Sequence, residues 1–278
     1  MRETKTFSRI PMRTWRWLGV NDLPAPADLD DAIKKEQILV QKGQRDEIVR
    51  AFRTGGNYEV QVHLEAGAAL HLVLAQLAPQ AESCTCRVRV RCAAGAKFAA
   101  TLAEVGARHA AAELFVDLAE EGAGADIWGL YFGDGEQKLD LNYVIRQGGT
   151  HTDANMQVRG ALKGHAEKIF RGTLDFLEGS SGSVGRENEE VVLLSDGVRN
   201  RSVPIMLSHE ADVDGHHAVS VGKMDEDRLF YLMSRGLDLA EAQRLVVEAS
   251  LAPVLSRIPD TALREEIDHF LQERITNG

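Results

Sequence analysis

Three cysteines, Cys84, Cys86 and Cys92, are the residues best suited to soft-metal or sulfur chemistry. A thiolate binds iron and other soft metals and can accept sulfur. All three positions are even-numbered, so one uninterrupted strand would place them on a single face with Val88 and Val90, opposite a row of arginines. This pattern predicts buried apolar thiols. Iron or sulfur binding is the alternative, although the two thiols of a C-x-C pair do not by themselves make a metal site.

An adjacent pair of histidines, His216 and His217, is the second candidate for chemistry. On a β-strand their rings project in opposite directions, so one can face the core while the other faces solvent or a partner. His209, Glu210 and Asp212 lie just before the pair. A metal-dependent enzyme of the cupin type needs several histidines and a carboxylate at one metal. This cluster therefore keeps a β-rich metal-dependent enzyme open as an alternative function.

Sequence motifs for nucleotide binding and hydrolysis are missing. The sequence has no phosphate-binding loop ending in Lys-Ser or Lys-Thr, no G-x-S-x-G motif and no H-E-x-x-H motif. The glycine-rich run Gly179–Glu190 lacks both the lysine and a following helix, which predicts a mobile surface loop there. We therefore expect a chain that is not an ATPase and not an enzyme.

The elements that must position these residues are short strands with a period of two. Apolar residues alternate with polar ones in residues 58–64, 86–92, 114–118, 139–145 and 170–176. No convincing amphipathic helix occurs between about residues 45 and 207. A long run of short strands is typical of a β-sandwich, a β-barrel or a β-solenoid, and no sequence repeat decides among them.

The last part of the chain has the pattern of helices. The acidic run Asp225–Asp227 predicts the first turn of a helix that ends at Gly236. Asp238 and Glu241 have the spacing of a capping box, which predicts the start of a second helix. A third helix is predicted to open after Pro259.

Composition and charge limit the function. The 278 residues carry a net charge of −10, which argues against non-specific nucleic-acid binding and against a polybasic membrane surface. The sequence has no apolar run of bilayer length, its start lacks the apolar core of a signal peptide, and three cysteines are too few for a disulfide framework. We therefore predict a cytoplasmic protein with an N-terminal segment (1–44), a β core (45–222) and a C-terminal helical segment (223–278).

The most distinctive stretch is Asp212–Leu237, DVDGHHAVSVGKMDEDRLFYLMSRGL. It resembles the C-terminal signature of the SufB/SufD family of iron–sulfur cluster assembly proteins. Two upstream stretches, KIFRGTLDF (Lys168–Phe176) and VVLLSDGVRNRSVPIML (Val191–Leu207), are similar to further elements of that family. The resemblance covers about residues 140–256 well and the earlier β-rich region more loosely.

The resemblance implies a mainly β fold, a right-handed parallel β-helix (a β-solenoid) with a C-terminal helical segment. It also implies a SufC-like ABC ATPase as partner, docked on that segment, and a scaffold role in cluster assembly. Family scaffolds form dimers through the β-helix, so a homodimer or a heterodimer with a SufB-like subunit is expected, with the nascent cluster at the interface. Typical members are longer and have an N-terminal helical domain, for which a chain of 278 residues has no room.

Docking of the ATPase is expected at Phe230, Tyr231 and Arg235, which lie inside the matching motif. Plain helix packing is the alternative for Phe230 and Leu232, and we favour it for these two. A purely structural subunit that only tethers the ATPase is a further alternative function.

The family's site residues carry over only in part. The family histidine aligns with His217, which makes His217, with His216 beside it, the candidate ligand for a transient iron–sulfur cluster or iron, with no tightly bound cofactor expected. The cysteine that SufB-type scaffolds place two positions before it is Gly215, which has no side chain to accept sulfur. The family's next glycine and its threonine are Ala218 and Ser220. These departures indicate a SufD-like member that supports the chemistry more than it performs it.

Overall fold

Parallel β-strands make up most of the structure, a computed structural model that describes residues 6–14, 16–29, 31–224 and 226–276. The strands are β1 (Thr6–Arg9), β2 (Asp22–Pro24), β3 (Ile33–Val40), β4 (Arg45–Phe52), β5 (Gly56–Leu64), β6 (Ala69–Gln76), β7 (Ser83–Cys92), β8 (Lys97–Glu104), β9 (His109–Leu118), β10 (Gly124–Gly133), β11 (Lys138–Gln147), β12 (Asp153–Leu162), β13 (Glu167–Phe176), β14 (Ser183–Leu193), β15 (Arg199–Ser208) and β16 (Val213–Lys223). Three helices follow, α1 (Glu226–Ser234), α2 (Leu239–Leu255) and α3 (Thr261–Thr276).

Successive strands alternate between two seven-stranded parallel sheets. The odd sheet contains β3, β5, β7, β9, β11, β13 and β15, and the even sheet contains β4, β6, β8, β10, β12, β14 and β16. Each strand pairs with the strand two places later in the chain, so the backbone winds as a β-solenoid of about six turns. The predicted β-helix with a C-terminal helical segment is therefore confirmed.

Apolar side chains fill the space between the sheets in straight ladders. Equivalent residues of successive coils lie in register, as in the buried ladder of Val62, Val90, Val116, Ile145 and Leu174. Because a strand alternates its side chains, every second residue enters this core, which is the period of two seen in the sequence.

Glycine turns that join the odd sheet to the even sheet are stacked from one coil to the next. Gly67 has a φ of 69° and donates its N–H to the carbonyl of Ala94, while Gly95 has a φ of 64° and donates to the carbonyl of Glu121. This left-handed conformation is the one that glycine adopts without a steric penalty. The turns of neighbouring coils therefore bind each other as the strands do.

Terminal segments cover the outer faces of both sheets. On the even sheet, apolar residues of α2 and α3 pack against the outward-facing Val73, Leu130 and Phe132. On the odd sheet, the N-terminal residues lie across the strands, where the buried Arg171 of β13 donates to the carbonyl of Val20 and pairs with Asp140. Residues from both terminal segments thus pack against the sides of the solenoid.

The helical boundaries agree with the sequence signals. Gly236 has a φ of 100° and follows the end of α1. Asp238 caps α2 and forms the predicted capping box with Glu241. The division of the chain at residues 45 and 223 stays a prediction. Among the helices of the described residues, none is long and apolar enough to cross a membrane.

One predicted loop is wrong. Most of the run Gly179–Glu190 lies in β14, which pairs with β12 along its length. Its inward positions include Gly185, Glu187 and Glu189, all of them buried. The alternation of apolar and polar residues fails here because the inward side chains are themselves polar.

Gly160→Ala is expected to lower the free energy of unfolding by about 1–3 kcal/mol, because the added Cβ would overlap the ring of Tyr131 on the neighbouring strand. Tyr131 is fully buried and its hydroxyl donates to Glu189 over 2.9 Å, so the ring cannot move aside without loss of this bond. Urea denaturation measures the effect. Gly222→Ala is the control, since nothing lies within 4 Å of its Cβ position. Equal losses in the two variants would contradict this packing.

Candidate functional site

The two candidate histidines lie on β16, the edge strand of the even sheet. His217 is in register with the buried Glu187 of β14, whose side chain faces the interior of the β-helix, so His217 lies on the interior side of its strand. His216 lies on the outer side, where its Nε2 is 2.9 Å from Oδ1 of Asp214. The two rings therefore project in opposite directions as predicted, but both are exposed, because no further coil covers β16.

Gly215 occupies the interior position before His217. A Cβ atom there would lie 2.6 Å from the sulfur of Met206, so the site leaves no room for a longer side chain without movement of Met206. The absence of a thiol at this position therefore agrees with the local packing.

A cluster of buried polar residues lies inside the β-helix next to this edge. Nζ of Lys168 donates to Oε1 of Glu189 over 2.5 Å and to the hydroxyl of Ser202 over 3.0 Å. The hydroxyl of Tyr131 donates to the same Glu189 oxygen. Burial lowers the pKa of Lys168 to about 8, while the neighbouring Glu189 opposes this shift. The pair is fully buried.

Glu187 is the neighbour of His217 on β14 and has no such partner. Its side chain is buried, and neither carboxylate oxygen has a hydrogen-bond partner among the described residues. Burial, together with the negative charge of Glu189, raises the pKa of Glu187 to about 8. Sequence reasoning missed Lys168, Glu187 and Glu189. The signal was their spacing. Glu187 and Glu189 lie an even number of residues from the inward-facing Val191, and Lys168 lies two residues from the inward-facing Phe170.

The three cysteines face the interior as predicted and are buried. Burial raises the pKa of Cys84 and of Cys92 to about 12 and that of Cys86 well above its usual range. A thiol held in its neutral form is a poor metal ligand. Cys92 also lies six residues along β7 from Cys86, about 20 Å at the rise of a strand. Iron or sulfur binding by these thiols stays a prediction.

The acidic residues near His209 are engaged in turns. The carboxylate of Glu210 accepts the backbone N–H groups of Asp212, Gly179 and Ala211, which lowers its pKa, and the carboxylate of Asp212 accepts the hydroxyl of Ser181. Within the described ranges, no group of three or more His, Cys, Asp and Glu side chains is arranged to hold a metal ion. No observation therefore favours the metal-dependent enzyme.

An apolar surface is exposed on the helices that follow β16. Phe230 is 75% exposed and Tyr231 is 55% exposed, and the guanidinium of Arg235 lies 5.2 Å from the centre of the Tyr231 ring. Helix packing as the role of Phe230 is therefore wrong, whereas Leu232 is half-buried. We call the exposed set the helical apolar surface: Phe230, Tyr231, Met233, Leu239 and Leu245.

The two ends of the solenoid differ in charge. At the first coil, β3 carries Lys34 and Lys35 and β4 starts with Arg45-Asp46-Glu47, charges of the kind that keep an edge strand from pairing. At the last coil, the exposed stretch Ala218–Gly222 of β16 has no charged side chain. The stretch Ala218–Gly222 of β16 is therefore suited to pairing with another strand.

Comparison with known proteins gives consistent matches. The model of the family "SUF system FeS cluster assembly, SufBD core domain" matches residues 32–250. The iron-sulfur cluster assembly protein SufD of Bacillus subtilis (strain 168) is 32% identical over 155 residues, which are 56% of this chain and 36% of that protein. An iron-sulfur cluster assembly SufBD family protein of Mycobacterium leprae (strain TN) is 28% identical over 163 residues, 56% of this chain and 42% of that protein. The matched part thus spans less than half the length of these relatives.

Stability should depend on pH through Glu104, an interior carboxyl near Cys84 and Cys86 whose pKa burial raises from 4.5 to about 8. Between these values the folded state keeps a proton that the unfolded state has lost, so rising pH favours unfolding by up to about 1.4 kcal/mol per pH unit. Glu104→Gln should remove this contribution.

Urea denaturation of wild type and Glu104→Gln at several pH values from 5 to 8 measures the difference. The exposed Glu136→Gln is the control and should follow the wild type. A stability difference between wild type and Glu104→Gln that stays constant with pH would refute the assignment.

Proposed function

The chain belongs to the SufB/SufD family of iron–sulfur cluster assembly proteins, and we propose that it is a non-catalytic scaffold subunit of SUF-type assembly that acts with a SufC-like ABC ATPase. The observation that carries this proposal is the family match over residues 32–250, which includes the whole β-solenoid from β3 to β16 and the whole of α1. The ATPase partner and the iron–sulfur cargo are proposed and not shown, because the match covers less than half the length of the curated relatives.

We assign the chain a SufD-like role. Gly215 cannot accept sulfur or bind iron, and the similarity to a protein named SufD supports the same assignment. The chain then supports cluster formation through its partner contacts and through His217. A cytoplasmic location stays a prediction.

The ATPase is proposed to dock on the helical apolar surface. Large exposed apolar side chains in a cluster are typical of protein interfaces. Phe230, Tyr231 and Arg235 supply an aromatic and arginine group of the kind that dominates interface energies.

Force from the ATPase can reach the candidate ligands along the backbone. β16 ends at Lys223 and α1 begins at Glu226, so the docking helix is joined almost directly to the strand that carries the histidines. When ATP draws two docked ATPases together, a displacement of α1 is passed to this edge strand. We propose that this movement opens the interface to iron and sulfide.

The edge of β16 is proposed to form the dimer, either with a second copy or with a SufB-like subunit. Its unpaired backbone groups and its uncharged stretch favour addition of another strand. A partner strand there would place His217 and His216 next to the interface. Imidazole is a borderline ligand that can hold iron and release it, as a cluster in transit requires.

The docking proposal predicts that a SufC-like ATPase from the same genome co-purifies with the chain. Phe230→Ala combined with Tyr231→Ala should weaken this complex at least about tenfold, because both side chains lose their contact area. Pull-down with and without ATP measures the complex. Leu39→Ala, an exposed leucine on β3, is the control and should bind normally. If the wild-type chain forms no complex with the ATPase under either condition, the docking proposal is wrong.

The interface proposal predicts different defects for two substitutions on β16. Val221→Lys should split the dimer, because it places a charge on the interior side of the open edge. His217→Ala should keep the dimer and reduce the iron and sulfide retained on reconstitution. Light scattering and iron analysis, with and without a SufB-like subunit, measure the two effects.

Undiminished cluster retention in His217→Ala would instead favour the structural subunit that only tethers the ATPase. An unaltered dimer in Val221→Lys would place the interface elsewhere.

A further inference from the structure

Charged residues replace apolar ones along several interior ladders in the last coils of the β-helix. On the even sheet, one ladder runs through Leu72, Ala100, Ile127 and Met156 and then continues with Glu187. The neighbouring ladder passes from Val158 to Glu189. On the odd sheet, Leu139 is followed in its ladder by Lys168 and then by Asn200. Polar groups from both sheets therefore enter the same end of the interior.

The charges in this polar interior do not balance. Glu189 is paired with Lys168 and accepts a second hydrogen bond from Tyr131. Glu187 adds a second carboxyl that is 2% exposed, and among the described residues no cation pairs with it. An isolated carboxylate in such surroundings is costly unless a proton or a cation compensates for it.

Unpartnered oxygen atoms are concentrated here. Oε1 and Oε2 of Glu187, Oε2 of Glu189 and Oδ1 of Asn200 are buried without a hydrogen-bond partner among the described residues. All four are acceptors, and the strongest local donor, Nζ of Lys168, is already bound to Oε1 of Glu189 and to Ser202. Because most buried polar atoms are satisfied, such a group of acceptors indicates a ligand that supplies positive charge.

Space for the Glu187 side chain is provided by Gly172 on β13. A Cβ atom at Gly172 would overlap Oε1 of Glu187, so the carboxylate reaches across the interior to the opposite sheet. Because Gly172 has no side chain, the carboxylate of Glu187 fits into space that an apolar side chain of this ladder would otherwise fill.

We propose that the last coils of the β-helix bind one hard divalent cation through the carboxylates of Glu187 and Glu189, with water as the remaining ligands. Hard cations such as Mg²⁺, Mn²⁺ and Fe²⁺ take carboxylate, carbonyl and water oxygens.

This site goes beyond the proposed function, because it lies inside the β-helix and does not require His217. Lys168 remains bound to Oε1 of Glu189 and leaves Oε2 of that carboxylate to the ion. The ion would neutralise Glu187 and bridge two carboxylates of β14, so it would stabilise the last coils. Resident Mg²⁺ and cargo Fe²⁺ share this chemistry, and competition between them distinguishes the two.

Mn²⁺ is the probe, added to the full chain after treatment with a chelator and desalting. Electron paramagnetic resonance should count one bound Mn²⁺ per chain, and thermal unfolding should shift upward as Mn²⁺ is added, since the ion binds the folded state. Glu187→Gln should weaken binding at least about tenfold, because the neutral amide has a similar shape and lacks the charge.

Glu190→Gln is the matched control on the same strand. The carboxylate of Glu190 lies on the outer side and pairs with Arg159 over 3.2 Å, so this variant should bind Mn²⁺ as the wild type does. His217→Ala should also retain Mn²⁺ binding. Displacement of Mn²⁺ by Mg²⁺ at ~1 mM identifies a resident ion, and displacement by Fe²⁺ but not by ~1 mM Mg²⁺ identifies cargo iron.

The proposal is overturned if the wild type binds neither Mn²⁺ nor Fe²⁺ at ~1 mM, the weak limit of specific divalent sites. Unchanged affinity in a folded Glu187→Gln, or loss of binding in His217→Ala alone, overturns it as well. The wild-type stoichiometry and thermal shift test the proposal even if Glu187→Gln fails to fold. Glu189→Gln is a second variant that should also weaken Mn²⁺ binding. The ATPase pull-down reports on the proposed function separately, because it uses neither Glu187 nor Glu189.

Discussion

Each coil of the solenoid is held by backbone hydrogen bonds to the coil before it and the coil after it. This requirement fixes the register of every strand, because the parallel ladders run without a bulge from β3 to β15 and from β4 to β16. It also creates the candidate site, since a ladder that ends must leave one strand with unpaired groups. His217 is the last residue of its ladder, and no further coil covers its ring.

The polar interior depends on the same constraint. In the middle coils, each inward residue packs between equivalent residues of two neighbours, and apolar side chains satisfy this arrangement most simply. Near the open end, charged residues such as Lys168 and Glu189 occupy inward positions that are apolar in the equivalent places of earlier coils. Their pairing removes much of the cost of burial, whereas Glu187 is left without a partner among the described residues.

The sequence was sufficient for the fold where apolar and polar residues alternate. The strands around Val62, Val90 and Leu174, and the capping box at Asp238, follow from local patterns that the structure confirms. β14 was missed, because its inward residues are glycine and glutamate and the pattern therefore resembles a loop. The exposure of Phe230 was also beyond local reasoning, since an apolar residue on a helix is assigned to packing until its neighbours are known. The pairing of the buried charges depends on the register between strands that are distant in the chain, and a single sequence does not show that register.

The packing of both terminal segments against the solenoid has a consequence for how the molecule unfolds. In an array whose coils touch only their neighbours, the outer coils can fray one at a time. Here the guanidinium of Arg53, after the second strand of the first coil, binds the carboxylate of Glu266 on α3 over 2.6 Å. Arg171, near the other end, binds the carbonyl of Val20. These contacts link the first coils to the end of the chain and the late coils to its beginning, so a chain built of modules can unfold as a single cooperative unit.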